Sequence, residues 1–275
     1  MRRPGFALIA VFWIVMVVGL FTAIVASRTG FDIDRSVWAH DMGRVRAAAD
    51  GAVEEAAFRM VERLGSGQPV TDLAGVQVLD LRIDDIPVRV KIEDEDGKVD
   101  LNGAQPELLA LLFETLMRDN PDLPAEDPVA LSERIADFRD IDNLRRANGA
   151  EDPEYVAAGR PAGAKDGVFD TVGEMEQVLG MPPELVAAAA PFLTVHSGRA
   201  QFDPVVSPPG LQRLGSAVEA AGLLSGVAPS RRRMFSVTAE AALPSGVRLT
   251  RAASFRITGD MRQPVAWYGW RAIGG

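Results

Sequence analysis

Five carboxylates, Asp137, Asp140, Asp142, Glu151 and Asp152, fall within one short stretch of this 275-residue chain. Calcium takes about six to eight oxygens, several of them from carboxylates held in a loop. Asp140 and Asp142 stand in Asp-x-Asp spacing, which puts two carboxylates close together. Asp137 precedes them, Glu151 is placed to close a cage, and Gly149 permits a tight backbone. The spacing is not that of an EF-hand, which needs a glutamate at a fixed place after Asp-x-Asp-x-Asp-Gly. A solvated acidic loop neutralised by Arg139, Arg145 and Arg146 fits the same residues, and spacing alone leaves both readings open. A second acidic run, Glu93, Asp94, Glu95 and Asp96 before Gly97, precedes a helical pattern. It reads as a turn with the charge preference of a helix start, not as a metal site.

Little else in the chain offers chemistry. There are no cysteines, which removes disulfides, thiolate zinc sites and cysteine nucleophiles. The histidines number 2, His40 and His196, so a multi-histidine metal site is excluded. Ser197 stands beside His196, but adjacency in sequence does not make a nucleophile and base. Neither Gly-x-Ser-x-Gly nor Ser-x-x-Lys occurs. A non-enzymatic protein is expected, with a membrane-anchored periplasmic hydrolase as the alternative. The net charge is −9, which disfavours nucleic acid as a partner. Helix-hairpin-helix patterns near Leu101 and Thr171 carry Glu107, Glu114, Glu174, Glu176 and Glu184, where a phosphate binder needs Lys and Arg. Use of those patterns for binding protein, or as plain structure, is the reading kept.

The elements that must position these residues begin with residues 6–26, which hold no charge. At about 1.5 Å per residue they reach about 30 Å, the depth of a bilayer core. Arg2 and Arg3 precede the run and every acidic residue follows it. The positive-inside rule then puts the amino terminus in the cytoplasm and the bulk of the chain beyond the inner membrane. The start MRRPGF, a short basic leader ending at Gly5 with Phe6 opening the apolar run, resembles a type IV pilin leader. That resemblance implies cutting between Gly5 and Phe6 by a prepilin peptidase, N-methylation of Phe6, and retention of the helix. Ala10 stands where major pilins carry a glutamate at the fifth mature position. A subunit without that carboxylate lacks the charge that pairs with a neighbour's amino terminus, which suits a place where no further subunit is stacked.

Beyond the membrane, Trp38, Met42, Val45, Ala49, Ala52, Ala56, Met60 and Leu64 step by three or four, the period of one buried helix face. Partner subunits are expected on this face, at Trp38, Met42, Val45 and Ala49. Ile86, Val88, Val90 and Ile92 alternate as a half-buried strand, with a hairpin partner over 76–83. Near the end, residues 235–243 and 247–257 alternate around Pro244-Ser-Gly246, although Arg251 breaks the phase, and a weaker run over 265–273 closes the chain. Between these β regions the spacing predicts helices over 101–118, 129–138, 171–179, 183–190 and 211–223. Thr171 and Glu174 form a capping box for the third of them.

Three stretches belong together: EDEDGKVDLNGAQPELLALL from Glu93, IADFRDIDNLRRANGAEDPEY from Ile135, and FDTVGEMEQVLGMPPELVAAAAPFLTVHSG from Phe169. With the leader and Ala10 they resemble the minor pseudopilin K family of the type II secretion system. Phe138 stands where that family has a tryptophan. The resemblance implies an α+β fold: a long N-terminal transmembrane and stalk helix, a pilin-like antiparallel sheet, and a large inserted SAM/helix-hairpin-helix-like helical domain. The implied segments are a leader (1–5), a transmembrane helix (6–27), a periplasmic stalk (28–64), the first part of the sheet (65–100), the inserted domain (101–225) and the C-terminal strands (226–275). The implied function is a non-enzymatic assembly factor at the pseudopilus tip, acting with the I and J minor pseudopilins. The same resemblance brings calcium forward for Asp137, Asp140, Asp142 and Glu151.

Overall fold

Helix α1 (Pro4–Gly65) is one element of 62 residues, about 90 Å long at about 1.5 Å per residue. The computed structural model describes residues 4–68, 75–223, 229–230 and 233–273, and along α1 the side chains of 9–23 and 35–65. Of the expected membrane span at 6–26, the side chains of 6–8 and 24–26 therefore lie outside the description, Phe6 of the expected cleavage site among them. Over 9–23 large apolar side chains such as Phe12, Trp13, Ile14 and Phe21 are exposed. Among the described residues no helix is long and apolar enough to cross a membrane.

From Val45 onward α1 lies on a five-stranded antiparallel sheet in the order β1-β2-β5-β6-β7. The strands are β1 (Val76–Ile83), β2 (Ile86–Asp94), β5 (Met234–Ala242), β6 (Arg248–Ile257) and β7 (Val265–Ile273). Alternation along β2 is strict: Ile86, Val88, Val90 and Ile92 are buried, and the residues between them face outward. They meet Val45, Ala49, Ala52, Ala56 and Met60 of α1 in one core. Alanine is small enough to let helix and sheet approach closely, and it is also the best helix former. This corrects the expectation that partners cover Val45 and Ala49. Both are fully buried by the chain's own sheet, whereas Trp38 is exposed and Met42 half-buried.

Arg251 does not break the phase of β6. It sits on the inner face with Leu249, Ala253 and Phe255, where its guanidinium finds Asp50 of α1. The weak pattern of β7 also has a cause. Phe255 pairs with Trp267 and Ser254 with Gly269, so Tyr268 is the extra residue of a bulge. The bulge brings Trp267 and Trp270 to the same face, 4.8 Å apart in a T-shaped pair, although their spacing in sequence would put them on opposite faces.

Between β2 and β5 the chain builds a second body with its own core. Its elements are β3 (Val99–Asp100), α2 (Pro106–Asp119), α3 (Pro128–Arg139), α4 (Asp152–Ala157), α5 (Pro183–Ala189), β4 (Leu193–Thr194) and α6 (Pro209–Ala220). Proline opens α2 and α3, and the Asp127 carboxylate accepts from the Val129 and Ala130 amides at the start of α3. The expected helix at 171–179 is a 3-10 helix over Val172–Gln177, with the Thr171–Glu174 box present. Helix α4 and the parallel β3–β4 pair had no sequence signal, since six and two residues are too short to show a period. Phe138 is buried and stacks on Phe169 at 5.2 Å, with Tyr155 at 6.2 Å on another side.

The two bodies meet at a polar junction. The Ser230 hydroxyl lies 3.0 Å from both the Asp94 and the Asp96 carboxylate, with its one proton shared between them, and the Ser230 amide donates to Asp203 at 2.6 Å. Gly75 and Gly97 both lie against the Val206 carbonyl; a Cβ on Gly97 would come within 2.1 Å of that oxygen.

Candidate functional site

Helices α3 and α4 and the loop between them form the site. Asp140 caps the C-terminus of α3, Asp142 follows in the loop, and Glu151 caps the N-terminus of α4. Ligand oxygens of these three lie within 4.8 Å of one another. Asp142 is exposed, Asp140 half-buried, and Glu151 only 2 % exposed. Glu151 and Glu154 stand in the capping-box arrangement, with Glu154 accepting the Glu151 backbone N–H at 3.0 Å. Among the described residues neither Glu151 oxygen has a hydrogen-bond partner, nor does Asp140 Oδ1 or Asp166 Oδ1, and all four atoms are buried.

A buried carboxylate without a partner is costly. Its charge is correspondingly suppressed: burial first, then Asp137, Asp140, Asp166 and Asp142, push the Glu151 carboxyl up to about 7. Burial, with Asp152 and Asp140 nearby, raises Asp166 as well. The Asp140, Asp142 and Glu151 carboxylates are an arrangement that a hard divalent cation would complete, because it supplies the missing partner and removes the mutual repulsion.

Asp137, expected among the ligands, stands apart from the triplet. It is fully buried and is taken by Arg146, whose guanidinium is 2.5 Å from its Oδ1 and whose backbone N–H is 3.2 Å from its Oδ2. Arg146 also reaches Asp140 Oδ2 at 2.7 Å. Part of the acidic loop is thus neutralised internally, yet Glu151 is left out of that pairing. Arg139 is not a counter-charge of the loop in its hydrogen bonding; it donates to the Leu101 and Ala104 carbonyls. Gly149 has a steric role: a Cβ there would fall 1.8 Å from Asp137 Oδ2.

Asp166 is the contributor that sequence spacing missed. It lies well beyond the Asp140–Glu151 stretch, and its backbone is in the left-handed region at φ 53°. The Asp166-Gly167 pair was the available signal, as such pairs mark turns. Its amide donates to the Phe138 carbonyl at 3.1 Å, which ties this turn to the end of α3.

The other candidates separate cleanly. The Glu93–Gly97 run is a capped turn, with the Asp94 carboxylate accepting the Asp96 amide at 3.0 Å. Within it Glu95 pairs with Lys98 at 2.8 Å. Burial alone pushes the Glu95 carboxyl up, but the Lys98 ammonium outweighs this and holds it below its ordinary value. The Ser197 hydroxyl donates to Asp100 at 2.9 Å, while the His196 ring stacks toward Tyr268 at 6.2 Å.

Residues 90–198 match the family model for the type II secretion system (T2SS), protein K. Over those residues the chain is similar to protein K. The matched segment holds the whole carboxylate cluster, from Asp137 to Asp166, and leaves α1 and β5–β7 outside it. No curated protein matches it in sequence. Among solved structures it is similar to a chain of the crystal structure of the GspK-GspI-GspJ complex from the enterotoxigenic Escherichia coli type 2 secretion system. The TM-score is 0.66 at 16% identity, over 88% of this chain and 100% of that one. At that identity the likeness is one of fold, and the fold includes the sheet and stalk that the family model does not reach.

Proposed function

We propose that this chain is a minor pseudopilin that stands at the tip of the type II secretion pseudopilus and starts its assembly together with the I and J minor pseudopilins, for export across the outer membrane. The observation that carries this reading is the body plan: a stalk helix packed on a sheet, with a separate helical head inserted between β2 and β5. The structure it is similar to is of a GspK-GspI-GspJ complex. A head of that bulk beside a thin stalk leaves no room for a subunit stacked above, and Ala10 offers no carboxylate for one.

In this reading a prepilin peptidase cuts between Gly5 and Phe6, and residues 6–27 anchor the chain in the inner membrane with the head in the periplasm. Trp38 and Met42 lie just before the part of α1 that the sheet covers, and they are the residues offered to partner subunits. Calcium is the cation assigned to Asp140, Asp142 and Glu151, where it supplies charge neutralisation and fixes the α3–α4 loop. A periplasmic hydrolase is not favoured, because the Ser197 hydroxyl is committed to Asp100.

Amino-terminal sequencing of the chain made with and without the peptidase tests the processing; an intact Met1 in both would overturn it. Co-purification of the chain with I and J subunits tests the assembly, and a chain that never co-elutes with either refutes it. Calorimetric titration with calcium tests the metal: heat and a rise in melting temperature are expected, and neither would be seen if the loop were only solvated.

A further inference from the structure

The chain contains two Asn-Gly pairs, Asn102-Gly103 and Asn148-Gly149. Such a pair is prone to a spontaneous reaction because glycine has no Cβ to shield its amide nitrogen. The fold treats the two pairs oppositely. The Asn102 carboxamide donates to the Phe169 carbonyl at 3.0 Å and accepts the Phe169 amide at 2.8 Å. The Gly103 amide is held by Asp100 at 3.0 Å, and Gly103 is packed against the Arg199 backbone. Asn148 is exposed in a turn. It is anchored through its backbone N–H to Glu133 at 2.6 Å, and its carboxamide has no partner among the described residues. The Gly149 amide makes one bond, at 3.2 Å to the Arg146 carbonyl, across that same turn. Gly149 itself is buried against Asp137, so the contrast between the pairs lies in the asparagine side chains: that of Asn102 is held at both ends, whereas that of Asn148 is exposed and able to turn toward the next amide.

We propose that Asn148 is a deamidation site while Asn102, in the same dipeptide, is protected. The Gly149 amide nitrogen gives up its proton to solvent and attacks the Asn148 side-chain carbonyl carbon. A carbon–nitrogen bond forms, the bond to Nδ2 breaks, and Nδ2 leaves as ammonia. Water then opens the succinimide: attack at the side-chain carbonyl yields aspartate, attack at the main-chain carbonyl yields isoaspartate, and the ring nitrogen regains a proton. The net change is one water consumed and one ammonia released, with no oxidation.

The product matters because of where it forms. A new carboxylate enters beside a group of acids that is already short of counter-charge. Isoaspartate also lengthens the main chain by one methylene. That length cannot be taken up on the inner side of Gly149, where Asp137 Oδ2 fills the space. The loop must bulge outward, which pulls on the Arg146 amide bond to Asp137.

The test ages the full-length chain in detergent at mildly alkaline pH, then maps tryptic peptides by mass and by isoaspartyl methyltransferase labelling. Peptide 147–165 carries Asn148 and peptide 99–118 carries Asn102. In the folded chain, 147–165 is expected to gain the mass of amide-to-acid conversion and the label at least about tenfold faster than 99–118. In urea the two rates should converge, and Asn148→Gln should remove the gain at 147–165. Equal rates in the folded chain, no gain at 147–165, or a difference that persists in urea would each overturn the proposal.

Discussion

Arg251 of β6 closes a two-pronged bond on Asp50 of α1, Nε to Oδ1 at 2.6 Å and an Nη to Oδ2 at 3.3 Å. The Trp270 indole N–H adds a third donor to the same carboxylate at 3.2 Å. Asp50→Ala leaves a guanidinium and an indole N–H without their acceptor on the inner face of the sheet. A loss of about 1–3 kcal/mol is expected for charge-assisted bonds of this kind. Urea unfolding followed by circular dichroism would show it as a lower midpoint with an unchanged slope. Trp270→Phe, which keeps the ion pair, should cost less.

The carboxylate cluster makes stability depend on pH in a definite direction. The Glu151 carboxyl is raised in the folded chain from 4.5 to about 7. A group raised on folding contributes stability that is complete below its unfolded value and is lost as pH rises through the folded one. In metal-free buffer the melting temperature should therefore fall between about pH 4.5 and pH 7 on this account. Saturating calcium should flatten that fall, and Glu151→Gln should abolish both the fall and the calcium effect. Thermal melts across this range, with chelator and with calcium, measure all three.

Two glycines test the steric reading with opposite signs. Gly97→Ala forces a Cβ against the Val206 carbonyl, 2.1 Å from its oxygen, and both sides are backbone. A loss of about 1–3 kcal/mol is expected. Gly43 lies in the exposed middle of α1 with nothing within 4 Å of its missing Cβ. Gly43→Ala should stabilise the helix by about 0.5–1 kcal/mol. Denaturant midpoints of the two variants should move to opposite sides of the parent chain.

Trp38 is 56% exposed and makes none of the core contacts of α1. Trp38→Ala should leave the melting temperature of the isolated chain within its error. It should weaken co-purification with an I-type partner by about 2 kcal/mol, the scale of an interface aromatic. Unchanged recovery of the complex would move the partner surface elsewhere on the molecule.

Much of this architecture was legible because periodicity is a strong signal in long elements. The alternation of Ile86, Val88, Val90 and Ile92 predicts the inner face of β2, and the three-four stepping from Val45 to Met60 predicts the buried stripe of α1. Periodicity could not show what covers that stripe, so Val45 and Ala49 read as partner contacts until the sheet was seen to enclose them. The bulge at Tyr268 defeats a period-two reading of β7, because one extra residue reverses the face of everything after it. In the carboxylate site, Asp140, Asp142 and Glu151 were legible from type and spacing. Asp137 was not separable from them, since only the fold brings the Arg146 guanidinium to it. Asp166 arrives from a distant turn by tertiary contact, which local spacing does not encode.

Asp94 at the end of β2 pairs with Phe235 at the start of β5. To the ladder, everything between those two residues is the connection of a single hairpin, whatever its size. The entropy of closing a loop grows only with the logarithm of its length. The sheet therefore registers an elaborate head at little more expense than a modest one. Enlargement, trimming or replacement of the head can proceed with the strand pairing and its packing on the helix left as they are.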